Sequence, residues 1–142
     1  MSSSPFVRNL ARKSHRALRS AQLSLDDGDS DCAVNRAYYA MFNIARAALL
    51  SAGVPEDGLP ATHRDLIAAF RQYAVQSGQV DRELAGALSR TEALRFQADY
   101  TGTETDAKSA AEAVQRAKTF VHALERMFAL QASSQPAPLE ED

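Results

Sequence analysis

A chain of 142 residues carries one domain with a real core and not two comfortable ones, and 45% hydrophobic with 24% charged residues is ordinary for a folded domain. A net charge of −2 rules out nucleic-acid binding by bulk attraction, so any such contact needs a local basic patch. The single Cys32 excludes an internal disulfide and a cysteine-built zinc site, and abundant alanine with few β-prone residues favours an all-helical fold.

The first helix is expected from Phe6 to about Asp26. Val7, Ala11, Ser14, Leu18, Ala21 and Leu25 form its inner seam at three- and four-residue spacing. Its other side carries Arg8, Arg12, Arg16 and Arg19, about a turn apart, with Lys13 and His15 beside them and no acid in the first twenty residues. Such a stripe suits RNA phosphates, and it equally suits a solvated outer face; a transit peptide is a third option. Gly28 falls where a left-handed cap would end the helix, and Asp29 or Ser30 can cap the next.

The second helix is expected from about Asp31 to Ala52, with Val34, Ala37, Tyr38, Met41, Ala45, Ala48 and Leu49 on its buried face. Gly53 and Pro55 stop it, and the run to Pro60 is a loop. Thr62 caps a third helix to about Gln76, with His63 in its first turn. Asp81 opens a fourth to about Ala98, whose inner stripe of Leu84, Leu88 and Thr91 continues into Arg95 and Asp99. A half-buried arginine needs a partner, and Asp99 is one turn away. Thr103 or Thr105 opens the last helix, whose seam runs from Ala107 to Phe128. The stretch from Ser133 is acidic and Pro-rich, too polar to order itself. The expectation is an antiparallel bundle of about five helices over 6–132, followed by a disordered tail over 133–142. No apolar run approaches a membrane span and no secretory signal is present, so the expected location is the cytoplasm.

Little in the chain carries chemistry. There is no Gly-rich phosphate loop, no nucleophile elbow and no ligand spacing among His15, His63 and His122, so neither a metal nor an organic cofactor is expected. Arg36 and Asn43, seven residues apart with Tyr39 between them, leave the second helix on one side. They are either a surface arginine and a tolerated amide, or a polar site. His63 is either a packing histidine or a base, and Arg95 with Asp99 either fixes a helix end or serves a site.

Asn35-Arg36-Ala37-Tyr38-Tyr39-Ala40-Met41-Phe42-Asn43 resembles the RAYYAMFH core of the HEPN superfamily, in its short stand-alone prokaryotic branch. Thr62-His63-Arg64 with Phe70 resembles that family's third-helix start, and Leu88, Arg95 and Ala98-Asp99-Tyr100 its "L…R..ADY" segment. Ala113, Ala117 and Phe120-Val121 resemble its closing helix. The four fragments occur in order across roughly residues 10 to 130.

The resemblance implies a helical bundle that forms a homodimer, often through the motif-bearing helices. Active members are metal-independent ribonucleases with an Arg-x(4–6)-His motif from both subunits, and many are toxins paired with a minimal nucleotidyltransferase antitoxin. RNA supplies its own 2′-hydroxyl nucleophile, so the protein needs a proton-transfer group and a fixed cation for the phosphate. Arg36 occupies the arginine position, but the histidine position is Asn43. An amide can orient a hydroxyl and cannot carry a proton at neutral pH. The expectations are a weakened ribonuclease using Arg36 and Tyr39, one recruiting His63 as substitute base, or a non-catalytic dimer. Such a dimer would bind RNA, a nucleotide or a nucleotidyltransferase partner.

Overall fold

The computed structural model describes residues 4–130. Among them lie five α-helices: α1 (Pro5–Asp26), α2 (Ser30–Ser51), α3 (His63–Ser77), α4 (Arg82–Tyr100) and α5 (Ala107–Phe128). A single 3-10 turn, Glu56–Gly58, shapes the α2–α3 loop. The stretch 133–142, expected as a tail, lies outside the described residues.

Side-chain caps set the helix starts. Ser4, Asp29, Thr62 and Asp81 each accept a hydrogen bond from a backbone N–H three residues on, satisfying a donor that the first turn leaves open. The fifth cap corrects the sequence reading, being Asp106 and not Thr103 or Thr105. Its carboxylate accepts from both the backbone N–H (3.0 Å) and the hydroxyl (2.8 Å) of Ser109. A carboxylate at this end also meets the positive pole of the helix, which a threonine hydroxyl does not. Thr105 has a different task, because its N–H reaches Asp31 at 2.9 Å and ties the loop to the start of α2. At the α1–α2 turn Gly28 has φ +83°, the left-handed backbone that glycine enters without steric cost.

α2 is the central helix. It packs against each of the other four, most extensively against α1 and next against α5. Half its residues are buried, including every one assigned to its inner face from periodicity, together with Ala33, Ala40, Ile44 and Ala47. At Ala40, where the side chain is small, α1 comes close enough to reach the α2 backbone. The buried Ser14 hydroxyl donates to the Ala40 carbonyl at 2.9 Å, which satisfies the polar member of the α1 seam. Phe70 of α3 meets Phe120 of α5 at 5.6 Å between ring centres, and both are fully buried. Burying one such ring stabilises the fold by about 1.5–3 kcal/mol. No helix among the described residues is long and apolar enough to cross a membrane.

Candidate functional site

With four helices packed around it, α2 keeps only one narrow stripe toward solvent, and Arg36, Tyr39 and Asn43 stand on it, each half-buried. α1 runs along one side of this stripe. Between the two helices lies an open groove of about 540 Å³, into which α1 contributes Lys13, Arg16 and Arg19. Ala17, Ser20 and Leu23 complete the lining, and no acidic side chain belongs to it. Part of the arginine stripe therefore serves the same concavity as the Arg36 motif. Arg12, by contrast, hydrogen-bonds Asn9 on its own helix.

Arg36 is aimed by its neighbour. Its Nε and Nη2 donate to Asn35 Oδ1 at 3.1 and 2.9 Å, and its guanidinium carbon lies 5.4 Å from the Tyr39 ring centre. Asn35 Nδ2 in turn donates to Asp99 Oδ2 at 3.1 Å, and Arg95 Nη1 donates to the same oxygen at 3.0 Å. The expected Arg95–Asp99 contact thus exists, and it extends across α4 to α2. Arg95 also grips Glu92 with two parallel bonds, Nε at 2.8 Å and Nη2 at 2.9 Å, the fork geometry that suits arginine to a carboxylate. Arg95 is only 6% exposed, and its guanidinium carbon lies 5.0 Å from the Tyr38 ring centre. The Glu92 hydrogen bonds outweigh burial and hold Arg95 above its usual pKa, so it is a permanent cation.

His63, the first residue of α3, lies on the flank of the groove, outside its lining. Its Nδ1 is 2.7 Å from the Tyr38 hydroxyl, its ring stacks on Phe42 at 4.5 Å, and it meets Tyr39 edge-on at 5.6 Å. Tyr38 is fully buried. Burial first, then the Glu92 charge, pushes its phenol well above the usual tyrosine value, so it stays neutral. Asn43 Oδ1 accepts from Arg46 Nη1 at 3.4 Å.

The structure therefore brings Arg36, Tyr39 and Asn43 together in the groove, sets Arg95 and Asp99 behind Arg36 as supports, and puts His63 beyond Tyr39. Among the described residues no group of three or more histidine, cysteine or carboxylate side chains is arranged to hold a metal.

A family model of the HEPN domain matches residues 7–127. The chain belongs to the HEPN family. It is 30% identical over 118 residues to a UPF0332 protein of Thermotoga maritima, covering 82% of this chain and 86% of that one. A UPF0332 protein of Gloeobacter violaceus is 31% identical over 101 residues, 71% of this chain and 77% of its own. A Methanocaldococcus jannaschii protein named "Putative toxin MJ0605" is 31% identical over 94 residues, 66% of this chain and 67% of that one.

Within this HEPN chain, sequence reasoning passed over two residues of the network. Asn35 was read as part of the motif and not as the support of Arg36. Glu92 was missed, although its position three residues before a stripe-bound arginine is a helical pairing distance that marks it.

Proposed function

We propose that this HEPN protein is a component of a toxin–antitoxin-like or defence module and acts on RNA through the α1–α2 groove, as a slow metal-independent endoribonuclease. The observation that carries this reading is the meeting of Arg36, Tyr39 and Asn43 with Lys13, Arg16 and Arg19 in one groove without an acid. Four cations there suit successive phosphates, and the Arg36 fork suits the charge that builds on the phosphate under attack. Similarity to a protein named as a toxin supports the same direction. Asn43 can orient a hydroxyl and cannot transfer its proton, so cleavage is expected to run about 100- to 10,000-fold below a site with histidine there. The expected partners are a second copy of the chain, joined through the Arg36-bearing face, and a minimal nucleotidyltransferase as antitoxin.

The test is RNA cleavage in EDTA by the purified protein, with Arg36→Ala and Asn43→His prepared identically. Slow cleavage by the parent, none by Arg36→Ala and faster cleavage by Asn43→His support the proposal. Equal cleavage by parent and Arg36→Ala moves the activity away from this groove. Binding of RNA without cleavage by the parent leads to the second reading, which Asn43 itself favours. That reading is a non-catalytic HEPN dimer engaging RNA, a nucleotide or a nucleotidyltransferase.

A further inference from the structure

Near the Arg36 stripe, on α4, two aromatic rings stand in solvent where the outer side of a helix ordinarily carries polar groups. Phe96 is 54% and Tyr100 68% exposed, and they are the two aromatics among the large apolar side chains left exposed in the described residues. We propose that Phe96 and Tyr100 form a stacking platform for unpaired bases of a single-stranded RNA whose phosphates lie in the α1–α2 groove. The inference rests on the RNA-binding reading of that groove and deepens it by naming the substrate as unpaired strand.

The rings sit on the part of α4 that is tied to the motif. α4 packs on α2, and its Asp99, which stands between Phe96 and Tyr100 in the chain, accepts from Asn35, the residue that aims Arg36. The Arg95 guanidinium carbon is 5.9 Å from the Tyr100 ring centre and 5.9 Å from that of Tyr39. Arg36 is 5.4 Å from Tyr39 in its turn, so Tyr100 lies at most about 17 Å from the Arg36 guanidinium. A stacked strand advances about 3.4 Å per nucleotide, and about five nucleotides or fewer bridge the two. The carboxylates beside the rings do not meet that strand as free charges. Arg95 holds Glu92 with two parallel bonds and Asp99 with one.

The pair also has the chemistry that bases need. One helical turn separates the two residues, and their ring centres are 4.9 Å apart with planes inclined at 41°. Arg95 lies within cation–π distance of Tyr100 and steadies that ring, while more than half of each side chain stays open to solvent. Every base has a π-face, so exposed rings beside a cationic groove take bases with little regard to sequence. A base inside a duplex has both faces covered by its neighbours, and the platform therefore selects single-stranded loops and ends. Continuity with the four groove cations favours nucleic acid over a protein partner as the occupant of the rings.

Fluorescence anisotropy with a short single-stranded RNA of mixed sequence tests the platform, using the parent protein, Phe96→Ala, Tyr100→Ala, Tyr100→Leu and Tyr100→Trp. Both rings are at the surface, so these variants should fold, which circular dichroism checks. Each alanine variant is expected to weaken binding about 5- to 150-fold. The slope of log affinity against log salt should stay unchanged, because no phosphate contact is lost. Tyr100→Trp should stay within about twofold of the parent, whereas Tyr100→Leu, apolar but not flat, should fall with Tyr100→Ala. A duplex of the same sequence should bind parent and variants alike. A parent that binds the single strand and is matched by the Phe96→Ala, Tyr100→Ala double variant overturns the platform and leaves the groove reading standing. Loss of a dimer in that double variant, seen by sedimentation, makes the rings a contact between copies and also overturns the platform. A parent with no affinity for any RNA removes both readings.

Discussion

Tyr38 is the residue whose behaviour departs furthest from its type. It is sealed from solvent between Arg95, Glu92 and His63, and its phenol is held neutral by burial and by the Glu92 charge. The sign of the pH effect follows from that direction. The folded state favours the protonated phenol above the ordinary value near 10, so this contribution to stability is complete below pH 10 and lost as pH rises further. We expect an ultraviolet titration of the four tyrosines to leave Tyr38 protonated until the fold opens. Tyr38→Phe removes the stability loss above pH 10 that belongs to this group. It costs about 1–3 kcal/mol at neutral pH, because the half-buried His63 loses its hydrogen-bond partner, and urea melts at pH 7 and 10.5 measure both effects. A parent whose four tyrosines titrate together near pH 10 would contradict this account.

At the scale of helices, the sequence was readable wherever a local signal sets the structure. Asp29, Thr62 and Asp81 cap the helices they were expected to cap, Gly28 ends α1 in the left-handed conformation, and the inner face of α2 follows its periodicity residue for residue. The start of α5 was misplaced because Thr103, Thr105 and Asp106 all have capping chemistry, and only the contact of Thr105 with Asp31 decides among them. The candidate site was half readable. Spacing along one helix put Arg36, Tyr39 and Asn43 on one stripe. That Lys13, Arg16 and Arg19 would face them depends on how closely α1 and α2 approach, and this is set by small residues on both helices. We expect Ala40→Leu to push the two apart and destabilise the protein by about 1–3 kcal/mol, read as a lower denaturation midpoint at unchanged slope. RNA affinity should fall with it, because the groove walls separate. Unchanged stability would show that the helix spacing has slack.

For the molecule as a whole, the net charge is −2 while the groove concentrates four cations. If RNA binds there, the salt dependence should reflect the groove and not the total. Four neutralised phosphates on a single strand predict a slope of about −3 for log affinity against log salt. Replacing Arg16 and Arg19 together by glutamine should bring it to about −1.5, and fluorescence anisotropy across a salt series supplies the number. A slope unaffected by the double substitution would put the RNA elsewhere on the surface.

The short turn at Gly28 bears on how the molecule comes into being. Every charged side chain of the groove comes from residues 13–43, and the two helices that carry them are joined by Asp27, Gly28 and Asp29 alone. Closing so short a loop costs little chain entropy, whereas α5 must return from far along the chain to pack on α2. The hairpin of α1 and α2 is therefore the natural folding nucleus. Gly28→Ala, strained in left-handed backbone, should slow refolding in stopped-flow experiments more than it speeds unfolding, and the opposite pattern would move the nucleus elsewhere. During synthesis the same order brings the α1–α2 hairpin out of the ribosome before α5, the helix that packs on it from far along the chain.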